Sequence, residues 1–222
     1  MDYYVMVLRS VKKLLESTGK EQYAEIVQEC IENWEHNGDS TMFGKEFSNN
    51  GRFADFSLNT SSISDPKKGF WTGQTLSALI AMSAQLAVFN QKGVETDLNF
   101  IRSNFGAANE VMNVSKCQDC GRFEATEMDI DRYISKIVIA KKIVDGMERG
   151  NLDGQIEEIV NLTAPEIERE HRKTLTRLEN TGVPYTNVYG TVKTCLKCGS
   201  KKISTGRLLR SNKENVFVPL KH

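Results

Sequence analysis

The stretches "KCQDCGRF" (116–123) and "TCLKCGSK" (194–201) each contain the pattern Cys-x-x-Cys-Gly, and 74 residues separate the two pairs of cysteines. Two thiolates three positions apart can bind one metal ion if the chain turns tightly between them, and Zn²⁺ prefers four such ligands in a tetrahedron. The glycine after each pair suits the positive φ of such a turn. The sequence therefore predicts one structural Zn²⁺ held by four cysteines. These ligands are Cys117, Cys120, Cys195 and Cys198.

Other interpretations of the cysteines are a redox dithiol or disulfide, two unrelated pairs, and iron in place of zinc, since four thiolates also suit iron. A catalytic zinc keeps one position open for water and usually has histidine or carboxylate ligands. None of the chain's three histidines has the sequence context of such a site. The fifth cysteine, Cys30, shares a helical stripe with Ile26 and Trp34, so we expect a small core residue there.

The two cysteine pairs resemble the double knuckle of zinc-ribbon and rubredoxin-type sites. The resemblance covers 115–124 and 188–210, and it implies a metal site at the tip of a β hairpin. Simple ribbons place their pairs about a dozen to two dozen residues apart, so here it implies a long helical insertion. The segment "NGDSTMFGKEFSNNGRFADFSLN" (37–59) resembles part of small, uncharacterised bacterial helical domains, and that resemblance implies no activity.

Apolar residues at helical spacing predict a mainly helical body. The expected helices cover 3–16, 20–36, 66–91, 93–112, 130–147, 153–162 and 166–179. Pro66 suits a first helical turn, and Gly38 suits the residue after a helix. Three pairs have the spacing of a capping box: Thr18 with Glu21, Thr126 with Asp129, and Thr163 with Glu166.

From Val183 onward the chain is rich in β-branched and aromatic residues with glycine and serine breaks, which is typical of strands. The expected strands are "YTNVYGTVKT" (185–194), "KKISTGRLLR" (201–210) and "NVFVPL" (215–220). The fold class is therefore α+β, with a mainly helical body and a small C-terminal antiparallel β unit stapled by the Cys₄ zinc site.

We expect two domains. The first, 1–114, is a helical domain with an ordered aromatic and glycine-rich loop at 40–65. The second, 115–222, is a zinc-binding module with a helical insertion at 125–181 and a β unit at 183–220. Four phenylalanines should hold the loop in place: Phe43, Phe47, Phe53 and Phe56.

The chain of 222 residues has 29 basic and 29 acidic side chains, but the last 40 residues contain eight basic residues and one acidic residue. Such a basic segment has three possible roles. It could bind an anionic partner, dock on the acidic remainder of the same chain, or neutralise the negative charge of a zinc–thiolate site. The residues that would contact nucleic acid are Lys197, Lys201, Lys202, Arg207 and Arg210.

The most apolar segment, 76–89, is shorter than the roughly 20 residues needed to cross a bilayer, so we predict a buried helix and no membrane association. The first ten residues have no basic start followed by an apolar block, and we therefore expect no secretory signal. A reducing cytoplasm is the predicted location, where paired cysteines favour metal over disulfides.

These patterns favour a non-enzymatic, zinc-stabilised protein that binds another protein, with Phe53 and Phe56 as candidate contact residues. Its role would be accessory, such as an immunity-type factor of a bacterium or phage. The alternative is a zinc-ribbon-like protein that binds nucleic acid through its basic β unit. Phosphate-binding loops, nucleophile elbows and HExxH motifs are absent from the sequence, so we lean against an enzyme without excluding one.

Overall fold

The computed structural model describes residues 2–60, 62–106, 111–162, 164–181, 185–186, 192–211 and 214–219. The chain forms two compact units, and each is built from two separate stretches. The first unit is Met1–Ala107 with Val138–Asn161, and the second is Ala108–Ile137 with Leu162–His222. The sequence-based division cut the chain once, between 114 and 115. The structure instead assigns 138–161 to the N-terminal unit, because the later part of one long helix and the helix after it belong to that unit's core.

The helices are α1 (Tyr3–Ser17), α2 (Glu21–Asn37), α3 (Thr41–Glu46), α4 (Pro66–Gln91), α5 (Leu98–Ile101), α6 (Glu127–Arg149), α7 (Leu152–Val160) and α8 (Ala164–Thr181), with a π-helical turn at Arg102–Gly106. The strands are β1 (Val111–Cys117), β2 (Phe123–Thr126), β3 (Tyr185–Thr186), β4 (Ile203–Ser211) and β5 (Glu214–Pro219). The expected α+β class, mainly helical with a small β unit beside a cysteine cluster, is confirmed.

The core of the first unit forms around α1, which contacts α2, α4 and α7. Its apolar residues recur at helical spacing, so one stripe is removed from water. Val7, Leu8 and Val11 on that stripe are fully buried. The helix α4 starts at Pro66 as expected, and the side chain of Asp65 accepts hydrogen bonds from the first free N–H groups of the helix.

The predicted helix caps have different outcomes. Thr126 and Asp129 form the expected reciprocal cap at the start of α6: each backbone N–H donates to the other side chain, at 3.1 and 3.2 Å. The prediction for Thr18 is wrong, because its hydroxyl donates to carbonyls at the end of α1. Thr163 lies outside the described residues. Gly38 ends α2 with φ of 62° as predicted.

The loop at 40–65 is ordered by an aromatic cluster and contains α3. The ring of Phe47 stacks on those of Phe43 and Phe53, with centroids 4.4 and 3.9 Å apart. Arg52 holds the same loop from outside, since its guanidinium donates to the carboxylates of both Glu29 and Glu46. The prediction that phenylalanines hold this loop in place is confirmed.

The second unit contains one sheet with strand order β3-β2-β1-β4-β5. All neighbours are antiparallel except β2 and the two-residue β3, which are parallel. The central pair runs from Val111 opposite Leu209 to Cys117 opposite Ile203. The helix expected over 93–112 ends before β1, which is a strand because it pairs with β4. This partner lies about 90 residues further along the chain, so no local sequence pattern indicated the strand. Positions 187–191 of the strand expected at 185–194 lie outside the described residues.

Candidate metal centre

Four sulfur atoms from the two cysteine pairs meet in the second unit. The Sγ atoms of Cys117, Cys120, Cys195 and Cys198 all lie within 4.8 Å of one another. Two of the distances across the pairs are 3.6 Å each, between Cys117 and Cys198 and between Cys120 and Cys195. With Zn–S bonds of about 2.3 Å, the edges of a ZnS₄ tetrahedron are about 3.8 Å long. The four cysteines are therefore close enough to hold one metal ion, as the sequence predicted.

The spacing does not fit disulfides. A sulfur–sulfur bond is about 2.0 Å long, and all five cysteines are free thiols. Within the described residues, no histidine or carboxylate joins the four-cysteine cluster. The donor set is soft and thiolate-only, which suits zinc or iron rather than magnesium or calcium.

The first pair sits on a tight backbone turn between β1 and β2. The N–H of Cys117 donates to the carbonyl of Arg122 at 2.9 Å, and the N–H of Gly121 donates to the carbonyl of Cys117 at 3.0 Å. Gly121 has φ of 72°, and a Cβ at this position would meet no atom within 4 Å. The glycine is therefore favoured by its backbone angle rather than by lack of space.

The second pair repeats this turn just before β4. The N–H of Cys195 donates to the carbonyl of Ser200 at 2.8 Å, and that of Gly199 donates to the carbonyl of Cys195 at 2.9 Å. Gly199 has φ of 71°. The two turns thus share the same pair of hydrogen bonds and the same left-handed glycine. We call them the first knuckle (Cys117–Gly121) and the second knuckle (Cys195–Gly199).

Hydrogen bonds link the first knuckle to the residues that directly follow the second knuckle. The N–H of Gln118 donates to the carbonyl of Lys202 at 2.9 Å. The carboxylate of Asp119 accepts from the hydroxyl of Ser200 at 2.7 Å and from the ammonium of Lys202 at 3.2 Å. Both knuckles belong to the same compact unit. The cluster therefore links two parts of one sheet unit, where the sequence suggested a link between the helical body and the β unit.

Backbone N–H groups aimed at the sulfurs favour the thiolate form. Those of Cys120 and Asp119 lower the pKa of the Cys117 thiol to about 6, and those of Cys198 and Lys197 lower the pKa of Cys195. The N–H of Ser200 acts in the same direction on Cys198, but burial and the neighbouring sulfurs outweigh it and raise the pKa of Cys198 to about 12. The backbone of both knuckles thus favours deprotonation of the first cysteine of each pair, and the thiolate is the form in which cysteine binds a metal ion.

The four cysteines differ in their contact with water. Cys117 and Cys195, the first member of each pair, are each 2% exposed. Cys120 is half-buried and Cys198 is exposed. A bound ion would therefore have two ligands in the core of the unit and one side towards solvent.

Three of the candidate nucleic-acid residues lie in or just after the second knuckle, and the other two lie in β4. Lys197, Lys201 and Arg207 are exposed, and so is Lys202, although it forms an ion pair with Asp119. Arg210 lies in β4 opposite Asn215, and its side chain is outside the described part of the chain. The sequence analysis missed Leu196, which is 67% exposed between two of the metal ligands. The sequence did contain a signal for Leu196: a large apolar residue is unusual within a short Cys-x-x-Cys turn, which is ordinarily at the protein surface.

The candidate protein-contact residues behave differently from each other. Phe53 is only 5% exposed and packs against Tyr23 and Phe47, so it does not offer a surface to a partner. Its aromatic neighbours in the loop explain why it is buried. Phe56 is half-buried against Tyr23. Cys30 is buried as expected, and burial raises its thiol pKa to about 12.

Comparison of the chain with protein-family models, with curated proteins and with solved structures finds no match.

Proposed function

We propose that the protein is a non-enzymatic interaction protein whose Cys₄ cluster holds one structural Zn²⁺. The observation that carries this proposal is the meeting of four thiolate donors within 4.8 Å. Four cysteine ligands complete the tetrahedral shell of Zn²⁺ and leave no position for a catalytic water. The ion would supply folding free energy to the second unit rather than chemistry on a substrate.

The site's surroundings agree with a structural ion. Four thiolates and Zn²⁺ together carry a net charge of about −2. Lys197 and Lys201 are exposed beside the second knuckle, and Lys202 is held there by Asp119. Their positive charges would offset the negative charge of the cluster, although salt in the solvent would screen part of this attraction.

The second knuckle is the part of this unit best suited to meet another protein. Leu196 exposes two thirds of its surface, and Lys197 beside it is also exposed. A metal ion would fix the backbone between its two ligands, so these side chains would be presented with little loss of conformational entropy on binding. In this role the protein would act as an accessory factor that docks through its second knuckle.

The test is affinity capture with the purified, metal-loaded protein and identification of any stoichiometric partner. Leu196→Ser should abolish capture while the metal content stays at one ion per chain. The matched control is Val218→Ser, because Val218 is also an exposed apolar residue of the same unit, at 42%, but lies in β5. Capture that survives Leu196→Ser, or no partner at all, would overturn this assignment of the surface.

A second candidate function is nucleic-acid binding, and the exposure of Lys197, Lys201 and Arg207 favours it. Phosphate contacts release counterions, so affinity should fall steeply as salt rises. Binding of short single- and double-stranded oligonucleotides over a salt series measures this directly. Substitution of Lys201 and Arg207 by Gln should reduce the salt slope, whereas Lys92→Gln in the other unit should not. Absent or salt-insensitive binding removes this candidate.

A further inference from the structure

One face of α4 is exposed and carries no charge beyond the first turn of the helix. Residues 69–91 contain no Asp, Glu, Lys or Arg. The opposite face of the helix is buried, and α4 contacts α1, α3 and α7. At 100° per residue, four positions of the exposed face fall within a narrow stripe. They are Phe70, Ser77, Ala81 and Val88, all exposed.

Large apolar side chains mark both ends of this face. Phe70 is 40% exposed near the start of the helix, and Leu58 at 41% belongs to the loop that runs past the same turns, since its carbonyl approaches Gly73. Val88 is 45% exposed near the other end, together with Val94 at 38%. The outer face of a surface helix is ordinarily polar and charged. An uncharged face with large apolar side chains at both ends is a candidate for contact with another molecule.

The charges beyond the two ends are of opposite sign. At the start of α4 the exposed Lys67 and Lys68 outnumber the exposed Asp65, and just after its last turn the exposed Glu95 and Asp97 outnumber the exposed Lys92, so the two ends have net charges of opposite sign. The chain folds back there, because the N–H of Val94 donates to the carbonyl of Phe89 at 3.0 Å. Glu95 is therefore kept near the level of the last helical turn. The face is positive at one end, neutral in the middle and negative at the other.

We propose that this face binds a second copy of the same chain, with the two α4 helices antiparallel about a two-fold axis that passes between Ser77 and Ala81, at the level of Leu79. A two-fold axis places the same patch on both partners, so the patch must be complementary to itself. Antiparallel pairing brings Lys67 of one copy towards Glu95 of the other, twice. Parallel pairing would place like charges together at both ends.

The sizes of the side chains fit the same arrangement. Small residues in the middle of the stripe, Ser77 and Ala81, allow two helices to approach at the short end of the usual 8–10 Å between axes. Phe70 and Val88 are about 27 Å apart along the helix, at 1.5 Å per residue. With the axis between them, Phe70 of one copy meets Val88 of the other. Leu58 and Val94 extend this apolar contact at each end.

A membrane is the other surface that an apolar helix could meet. The 26-residue α4 passes the length and composition test for a membrane-crossing helix, with a mean hydropathy of 1.2 in its most apolar window. However, 44% of that window is already buried inside the protein, and α1, α3 and α7 cover one side. A protein partner fits a helix that is packed on one side and free on the other, and the charges at the two ends select a second copy.

Sedimentation equilibrium of the full-length protein over a concentration series tests the proposal. The wild type should form a dimer. Ala81→Glu should weaken dimerisation by at least about a hundredfold, because it would bury two carboxylates of like charge in the centre of the contact, each one helical step from the axis. Gln22→Glu in α2 is the control, since it adds the same charge at another exposed helical position and should leave the dimer intact. Circular dichroism should show both variants folded.

Charge reversal separates this arrangement from other partners. Lys67→Glu and Glu95→Lys should each weaken the dimer by about fivefold to tenfold, and the two together in one chain should restore it. A monomer at all concentrations, an absence of rescue in the double variant, or a monomer that sediments with phosphatidylcholine vesicles would each overturn the proposal. Failure here leaves the metal site and the second-knuckle surface untouched, since neither involves α4.

Discussion

The Sγ atoms of Cys120 and Cys195 lie 3.6 Å apart although 75 positions separate these residues in the chain. The approach arises because each knuckle adjoins one strand of the central pair: β1 ends at Cys117, and β4 begins at Ile203, which lies directly opposite. A long excursion through α6, α7 and α8 intervenes between the two knuckles. The strand pairing therefore determines where the four sulfurs meet.

Substitution of one buried ligand should release the metal and destabilise the second unit. Cys195→Ser leaves three thiolates, and structural zinc contributes on the order of 10 kcal/mol of binding free energy in small zinc peptides. We expect loss of bound metal and a drop in melting temperature, measured by elemental analysis and thermal unfolding. Cys30→Ser is the control, because Cys30 is equally buried but is not a ligand. It should cost stability while the metal remains bound.

Metal retention should depend on pH with a defined sign. The pKa of the Cys117 thiol is lowered to about 6 from its ordinary value of 9.0, chiefly by the N–H of Cys120. A depressed pKa stabilises the folded state fully above the unfolded value and progressively less as the pH falls through the folded value. Because protons and a metal ion compete for the same thiolates, a chromogenic chelator should detect metal release as the pH is lowered from neutral. Release on raising the pH from neutral would contradict the assignment.

A glycine in β4 should be sensitive to added bulk. A Cβ on Gly206 would collide with the ring of Phe217, which reaches over it from the neighbouring strand β5. Gly206→Val should destabilise the sheet by about 1–3 kcal/mol through overpacking, measured by denaturant unfolding. Gly44→Ala is the control, because that Cβ would meet open space in α3. Its effect should be neutral or stabilising.

Arg52 should make the first unit acid-sensitive. Its guanidinium lowers the pKa of Glu29 and of Glu46 below 4.5 by donating hydrogen bonds to both carboxylates. Their contribution to stability is therefore present above about pH 4.5 and lost as the pH falls through their folded values. Arg52→Gln should cost about 1 kcal/mol near neutral pH and reduce the loss of stability on acidification. Arg9→Gln, which removes a single more exposed ion pair with Glu35, should change stability less.

The local features of the fold could be predicted from the sequence, because they depend on neighbours in the chain. Pro66 starts α4, Gly38 ends α2, and Thr126 caps α6 with Asp129, as expected. The glycines of the two knuckles indicated their turns for the same reason. Thr18 was assigned to the wrong helix, since its hydroxyl serves the carbonyls that precede it.

The non-local features could not be predicted. Val111–Cys117 is a strand because β4 pairs with it, and no residue between 94 and 117 indicates that partner. Phe53 was a candidate contact residue, yet Tyr23 from α2 and Phe47 from the loop bury it. Which aromatic residues of a loop face the core depends on the element that the loop covers, and only the tertiary structure decides this.

X-ray absorption spectroscopy at the zinc edge tests the central claim most directly, because it counts and identifies the ligands of the bound ion. On the purified, metal-loaded protein we predict four sulfur ligands at about 2.3 Å and no nitrogen or oxygen ligand. Cys195→Ser should lose this four-sulfur signal. A wild-type spectrum with nitrogen or oxygen in the first coordination shell, or a folded protein that binds no zinc, would contradict the claim that the two knuckles share one structural ion.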